Sequence, residues 1–166
     1  MQDDHLMGDY SDVTEVLDYP MFVVTTAYDG HAAGCLVGFA TQASIDPPRF
    51  LVGLSNKNHT HRVALDAARL VVHVLDAESK ELARLFGETT GDDIDKFTQC
   101  SWHPGADGIP VLDEAPAWFS GTVGDRMSAG DHTAFLIDID LAEVRRQPSR
   151  LLRLSDVADL DPGHEA

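Results

Sequence analysis

The chain has 166 residues, of which 43% are hydrophobic and 24% are charged, a composition typical of one globular domain with a buried core. Twelve Lys and Arg against 28 Asp and Glu give a formal net charge of −16. This balance argues against nucleic acid or an anionic membrane surface as a partner, because phosphate binding of that kind needs a cationic face. The sequence shows no apolar run near the roughly 20 residues that cross a bilayer, and its acidic start does not resemble a secretory signal.

Much of the negative charge lies at the two ends of the chain. Residues 1–18 contain six acidic residues and no Lys or Arg, and residues 155–166 contain four acidic residues. We interpret 1–18 as an acidic N-terminal extension and 155–166 as an acidic C-terminal tail, both solvated. Residues 19–154 contain no repeat or linker and are predicted to form a single domain.

The first part of this body predicts a β-hairpin followed by a short strand. Residues 19–28 are rich in β-branched and aromatic residues, and Asp29-Gly30 is a typical hairpin turn. Gly34 and Gly38 in the second strand indicate a bulge or a close approach by a ligand. The predicted strands of this part are 19–28, 31–40 and 50–54, the last two separated by Pro47-Pro48.

The middle and end of the chain predict two helices and several strands. The first helix, over 60–69, is expected to be capped by Asn58 or Thr60, and the second, over 78–86, to end at Gly87. The remaining predicted elements are a strand over 70–75, a helical turn over 92–97, a loop over 99–110, strands over 117–123 and 132–144 separated by 124–131, and a last strand over 151–154. Six or seven strands with two or three helices favour a mainly β fold, an antiparallel barrel with flanking helices.

The residue spacing does not indicate a metal centre or a nucleotide fingerprint. Cys35 and Cys100 do not form a disulfide framework, which favours a reduced, cytoplasmic setting. Cys100-Ser-Trp-His103 and His59-Thr-His61 are isolated fragments without a second ligand pair, so no metal site is predicted. The glycine-rich motifs of Rossmann and P-loop proteins do not occur in the sequence.

Four stretches, in one order along the chain, carry a resemblance to a known family. They are Tyr19–Thr26 with Asp29-Gly30 and Gly34, then Thr41–Pro48, then Asn56–Thr60, and finally Gly130-Asp131-His132-Thr133. Supporting pieces are Ala83–Phe86, Lys96-Phe97 and Gly108–Leu112. Together these stretches resemble the flavin reductase-like family, the FMN-binding split β-barrels, over roughly residues 19–147.

The resemblance implies the fold, the cofactor and the site residues. It implies a homodimer of split antiparallel β-barrels that binds FMN, with FAD or a deazaflavin as alternatives, and that uses NAD(P)H as co-substrate. Asn58 and Thr60 are expected at the flavin phosphate, and His132 near the nicotinamide or flavin ring as the catalytic candidate. The cofactor-binding residues implied in full are Thr41, Gln42, Ala43, Ser44, Asn56, Asn58, Thr60, Phe97, Asp131 and His132. Leu36, Gln42 and Asn58 depart from the family pattern, which has hydroxyl residues at these three positions.

Two functional hypotheses follow from the resemblance. The first is an NAD(P)H-dependent FMN reductase that transfers hydride directly to the flavin, as the small component of a two-component monooxygenase or with oxygen as the acceptor. The second is a flavin-binding module, a carrier, sensor or buffer, without its own nicotinamide activity. A haem or pyridoxal-phosphate binder on a related barrel is a third, minor alternative.

Overall fold

The described residues form nine strands and three α-helices. A computed structural model of the chain describes residues 4–90 and 94–161. The helices are α1 (Asp4–Leu17), α2 (His59–Ala64) and α3 (Lys80–Glu88). The strands are β1 (Phe22–Tyr28), β2 (His31–Val37), β3 (Ala40–Ser44), β4 (Arg49–Ser55), β5 (Arg69–Val74), β6 (Trp102–Pro104), β7 (Pro110–Leu112), β8 (Ala117–Ala129) and β9 (His132–Val144). Short 3₁₀ turns occupy Ala77–Ser79, Lys96–Thr98, Ala106–Gly108 and Leu154–Val157.

Seven of these strands form one antiparallel sheet that the chain closes into a barrel. Their order is β2-β1-β5-β8-β9-β4-β3, so β2 and β3 lie at opposite edges. Only Gly38-Phe39 separates these two strands in sequence, and the N–H of Gly53 in β4 donates to the carbonyl of Phe39 at 2.7 Å. The bent segment β2–β3 therefore joins the two edges, and the fold is the mainly β, antiparallel barrel that the sequence predicted.

The core has two layers because alternate residues of each strand point to opposite faces. Phe22 and Val24 of β1 face the barrel interior, where they pack with residues such as Phe135 and Ile137. Met21 and Val23 point outward and are buried beneath α3 and the C-terminal segment. Both faces of β1 are therefore covered, which explains its unbroken run of buried residues.

Gly34 in β2 and Gly38 just after it allow close packing of aromatic side chains, and β2 does not contain the predicted bulge. A Cβ at Gly34 would lie 2.7 Å from the ring of Phe86 in α3, and a Cβ at Gly38 would overlap the ring of Tyr19. β2 pairs with β1 in continuous register from Val37 to His31, so the strand contains no bulge. These two glycines let large aromatic side chains lie directly against the strand.

Several predicted boundaries of helices and strands were wrong, because residues distant in sequence determine where these elements begin and end. Residues 124–129, predicted as a loop, continue β8 after a bulge at Gly124, because they pair with 132–136 of β9. Helix α2 ends at Ala64 rather than at residue 69, since Arg126 of β8 donates to the carbonyls of Ala64 and Ala67. The predicted loop 99–110 contains β6, which pairs with β7.

The terminal segments also contain structure that the sequence did not indicate. The acidic extension contains helix α1, whose Tyr10, Val16 and Leu17 are exposed. Asp18 follows this helix and accepts hydrogen bonds from the backbone and hydroxyl of Ser155, both at 2.8 Å. Positions 92 and 93 of the predicted helical turn, and 162–166 of the predicted C-terminal tail, lie outside the described residues. Among the helices described, none has the length and hydrophobicity needed to span a membrane.

An ion pair between β5 and β9 gives a testable pH dependence of stability. The buried guanidinium of Arg69 donates to both oxygens of Asp140, at 2.6 and 2.7 Å, and these bonds lower the pKa of the Asp140 carboxyl. A carboxyl whose pKa is lower in the folded state stabilises the fold above its unfolded pKa of about 3.9, and this contribution is lost as pH falls through the folded value.

We therefore expect Asp140→Asn to lower the urea midpoint at neutral pH, because the buried Arg69 loses the closer of its two charged partners, Asp107 being 3.6 Å away. The difference from the parent protein should shrink as pH falls below about 4, where the parent loses the same charge. Urea titrations across this pH range measure the difference in midpoint between variant and parent. Asp138→Asn is a matched control because the Arg49–Asp138 pair is more exposed. A difference that does not change with pH would contradict this role of the charge.

Candidate functional site

The turn between β8 and β9 brings two of the family-like stretches together. Gly130 adopts φ +76°, a conformation that glycine tolerates and that reverses the chain. The register of β4 with β9 then places His132 opposite Ser55, at the end of β4. Asn56 follows Ser55, and its backbone N–H donates to the carbonyl of Asp131 at 2.9 Å. The Gly-Asp-His turn therefore lies against the start of α2.

His132 is held by its neighbour in a defined orientation. Its Nδ1 lies 2.7 Å from a carboxylate oxygen of Asp131, and the imidazole side chain is 18% exposed. The hydrogen bond with His132 lowers the pKa of the Asp131 carboxyl, with a smaller contribution from Lys57. Because the carboxylate accepts the Nδ1 proton, neutral His132 presents Nε2 as a hydrogen-bond acceptor.

Two neighbouring cavities share a wall made by Phe39, Gly53 and His132. The first, here called the Asn58 cavity, has a volume of about 200 Å³ and is lined further by Tyr19, Leu36, Ser55 and Asn58. The second, the Thr41 cavity, has a volume of about 360 Å³ and is lined further by Thr41, Leu51, Met127 and Asp131. His132 is therefore accessible from both cavities. The Asn58 cavity is more polar at one end, and the Thr41 cavity is mainly apolar.

Aromatic rings form the wall between the two cavities. The Phe39 ring lies 4.8 Å from the imidazole of His132 and 5.9 Å from the ring of Tyr19. Phe39 is 54% exposed, an unusual environment for a large apolar ring. A Cβ at Gly53 would approach the Cβ of Phe39 to 3.2 Å, so glycine leaves room beneath the ring. Such a surface suits a flat aromatic ligand.

Asn58 combines a structural role with a place in the cavity wall. Its side-chain oxygen accepts the backbone N–H of Thr60 at 2.9 Å and so caps α2, as predicted. The side chain also hydrogen-bonds to the thiol of Cys35. Ser55 lines the same cavity, and Lys57 lies near Asp131. The donors here are therefore mainly neutral, with one neighbouring cation.

Thr60 lies deeper than the sequence suggested. Its side chain is 1% exposed and does not line either cavity. The hydroxyl hydrogen-bonds to the thiol of Cys35, which is buried at the barrel wall. Burial raises the pKa of this thiol, although Lys96, Thr60 and Asn58 each act to lower it. Cys35 is therefore a neutral packing residue rather than a nucleophile.

Thr41–Ser44 belong to strand β3, an element that the sequence analysis did not assign. Thr41 lines the Thr41 cavity, whereas Gln42, Ala43 and Ser44 line neither cavity. A register shift between Gln42 and Ser44 leaves Ala43 without a partner on β4. Since β3 is an edge strand of the sheet, its outer backbone groups are available to a ligand or to another chain.

Phe97 is separated from His132 and lies in a third cavity of about 450 Å³. Its ring contacts Phe86 and Trp102 edge-on, at centroid distances of 5.6 and 5.8 Å. The adjacent Lys96 is buried and donates to the carbonyls of Gly34 and Phe86, at 2.9 and 3.2 Å. Burial lowers the pKa of this lysine. The Lys96-Phe97 pair therefore anchors the segment against β2 and α3.

Sequence reasoning missed Phe39 and gave Tyr19 no place in the site. Phe39 follows a glycine and precedes the predicted ligand-binding stretch, and a large apolar residue at such a strand break was the available signal. Its importance depends on β2 and β3 bending at this point, which the local sequence does not show.

Comparison with known proteins identifies the family. Residues 15–155 match the flavin reductase like domain, so the chain belongs to the flavin reductase-like family. It is 32% identical over 117 residues to a probable flavin reductase of Rhizobium meliloti (strain 1021), covering 68% of this chain and 36% of that protein. It is 30% identical over 142 residues to the 4-hydroxyphenylacetate 3-monooxygenase reductase component of Salmonella dublin, covering 84% and 82%.

Solved structures show the same fold. The NADH:FAD oxidoreductase of Streptomyces globisporus matches with a TM-score of 0.75 and 25% identity, over 86% of each chain. An FMN-binding protein from Thermus thermophilus matches with a TM-score of 0.75 and 26% identity, over 81% of this chain and 80% of the other. The chain spans 36% of the length of each of the first two curated relatives it matches.

Proposed function

We propose that the protein is an NAD(P)H-dependent FMN reductase whose site lies around His132, within the body 19–154. The observation that carries the proposal is the placement of His132 on the shared wall of two cavities, one lined by neutral donors and the other mainly apolar. Hydride transfer between two flat rings needs them stacked and shielded from water. The mainly apolar Thr41 cavity, bounded by Phe39 and His132, would provide such a surface for the rings.

The residues present fit a flavin phosphate and ring. Asn58, Ser55 and Lys57 would hold the phosphate with neutral donors and one cation, in keeping with the acidity of the chain. Phe39 and the backbone of Thr41–Ser44 would hold the ring. Bound FMN would supply the acceptor for the nicotinamide hydride, and FAD is the alternative. Gln42 and Asn56 support this arrangement as exposed amides beside the edge strand and the turn.

His132 orients the nicotinamide rather than exchanging a proton with the ring carbon. Its Nε2 would accept an N–H of the nicotinamide carboxamide, because Asp131 holds the proton on Nδ1. This is a positioning contact to a substrate group, and it requires neutral imidazole. Phe39 beside it would exclude water from the reacting rings.

The names of relatives support a partner and a setting for this activity. The Salmonella protein is a reductase component of a monooxygenase, and a Bradyrhizobium diazoefficiens relative is an FMN reductase (NADH). By analogy, reduced flavin would pass from this protein to an oxygenase, and the protein would act as a homodimer. Two free cysteines favour the cytoplasm.

A flavin-binding module without nicotinamide activity is the second candidate. Leu36, where the family pattern has a hydroxyl, places an apolar side chain in the wall of the Asn58 cavity, and a similar solved structure is an FMN-binding protein. A tightly held flavin that no nicotinamide reduces is the expected property of such a module.

Steady-state oxidation of NADH and NADPH distinguishes the two candidates. With FMN, FAD or riboflavin as acceptor, we expect catalysed oxidation with one nicotinamide preferred and FMN the best acceptor. Flavin binding measured in the same preparation by fluorescence quenching is the control. Flavin that binds without accelerated oxidation of either nicotinamide would favour the module.

A further inference from the structure

A chain of side-chain hydrogen bonds connects helix α2 to the turn that carries His132. The Nε2 atom of His61 lies 2.9 Å from the hydroxyl of Thr133. That hydroxyl donates to the side-chain oxygen of Asn56 at 2.8 Å. The side-chain NH₂ of Asn56 donates to the carbonyl of Gly130 at 3.2 Å. These residues do not line the Asn58 or the Thr41 cavity.

The direction of each bond in this chain follows from the number of protons available. Thr133 has one hydroxyl proton, which goes to Asn56, so Thr133 accepts its bond from His61. His61 must therefore carry its proton on Nε2, and its Nδ1 is unprotonated. Burial, together with the nearby Arg62 and His132, lowers the pKa of His61 and favours this neutral form. The Nε2–H donor of His61 is therefore present near neutral pH.

Packing alone does not explain a histidine at position 61. The side chain is 8% exposed, and its Nδ1 is buried without a hydrogen-bond partner among the described residues. Its ring contacts Phe135 edge-on at a centroid distance of 6.2 Å. An apolar ring would make the same contact without burying an unsatisfied nitrogen, which is destabilising. The Nε2 donor to Thr133 is the property that an apolar ring would lack.

We propose that His61 is a positioning residue that acts through Thr133 and Asn56 to fix the Gly130–His132 turn and hence the imidazole of His132. The inference rests on the proposed function, because it assigns to these hydrogen bonds the accurate placement of His132, the group proposed to contact the nicotinamide. Asn56 is central to this series of hydrogen bonds, since it contacts the turn through both its backbone and its side chain. The bonds connect His132 to α2, which the buried core keeps in place.

Threonine 133 allows the proposal to be tested with nearly isosteric variants. Thr133→Val removes the hydroxyl and should raise the KM for NAD(P)H about five- to tenfold, with kcat and FMN affinity changing less than about twofold. Thr133→Ser keeps the hydroxyl and should restore the parent KM. In a His132→Ala background, Thr133→Val should have no further effect, because the group being positioned is gone.

Additive effects of Thr133→Val and His132→Ala would overturn the proposal, as would a serine variant as impaired as the valine variant. A readout that does not use activity separates this outcome from failure of the proposed function. In long-range proton–nitrogen NMR spectra of the protein without ligands, His61 should show the neutral Nε2–H tautomer. Thr133→Val should broaden or shift the His132 ring signals, and Thr133→Ser should not. A protonated Nδ1 on His61, or His132 signals unaffected by valine, would refute it.

Discussion

Replacing His132 with alanine is expected to lower kcat/KM for NAD(P)H about 10- to 100-fold, the loss that follows when a reacting group is misplaced by about an ångström. The imidazole lies on the wall shared by two cavities, and its free Nε2 is the acceptor that Asp131 leaves available. FMN affinity should change less than about threefold, because the proposed phosphate donors are unaffected. Stopped-flow reduction and flavin fluorescence titration measure the two quantities.

Asp131→Asn is the matched control for this experiment. The amide oxygen of asparagine still accepts the Nδ1 proton of His132, so the tautomer is kept although the charge is lost. A much smaller loss in kcat/KM is expected than for His132→Ala. Equal losses in nicotinamide turnover and flavin affinity on removing His132, or no loss at all, would remove the role assigned to this residue.

Asn58→Asp is expected to weaken FMN binding about tenfold or more, because an added carboxylate repels the flavin phosphate across a partly desolvated cavity. The substitution keeps the cap of α2, since aspartate accepts the Thr60 N–H as well as asparagine does. Riboflavin, which lacks the phosphate, should bind the variant and the parent about equally. The comparison of the two flavins therefore isolates the charge effect.

Asn58→Ser provides the neutral control at the same position. Serine caps helices well and is a hydrogen-bond donor, so FMN affinity should stay near that of the parent. A similar weakening of riboflavin and FMN by Asn58→Asp would place the phosphate elsewhere. The third cavity, with Lys96 and Phe97, would then be the next region to examine.

Part of the geometry of the candidate site was predictable because it lies in short ordered motifs. Gly130-Asp131-His132 forms a tight turn whose glycine needs positive φ, and Asn58 caps α2 through a local side-chain bond. Such features depend on residues close in sequence. The family resemblance supplied what local reasoning did not, namely that these two segments meet. In the structure they meet because β4 pairs with β9.

The remaining features depend on contacts between distant residues. Arg126 ends α2, and β9 extends β8 beyond Gly124, neither of which is visible in the local pattern. Thr60 was expected at the phosphate, but its hydroxyl is buried against Cys35 on a neighbouring strand. The polar chain from His61 to the turn likewise joins residues about 70 positions apart. No single-residue propensity encodes these pairings.

The most direct test is a single-turnover reduction of FMN by the protein without oxygen. Purified protein is mixed anaerobically with FMN and then with NADH or NADPH, and the visible absorbance of the oxidised flavin is followed. We expect loss of this absorbance far faster than with free reagents, and slower loss in His132→Ala. A stable yellow complex that neither nicotinamide bleaches would contradict it and identify a flavin-binding module instead.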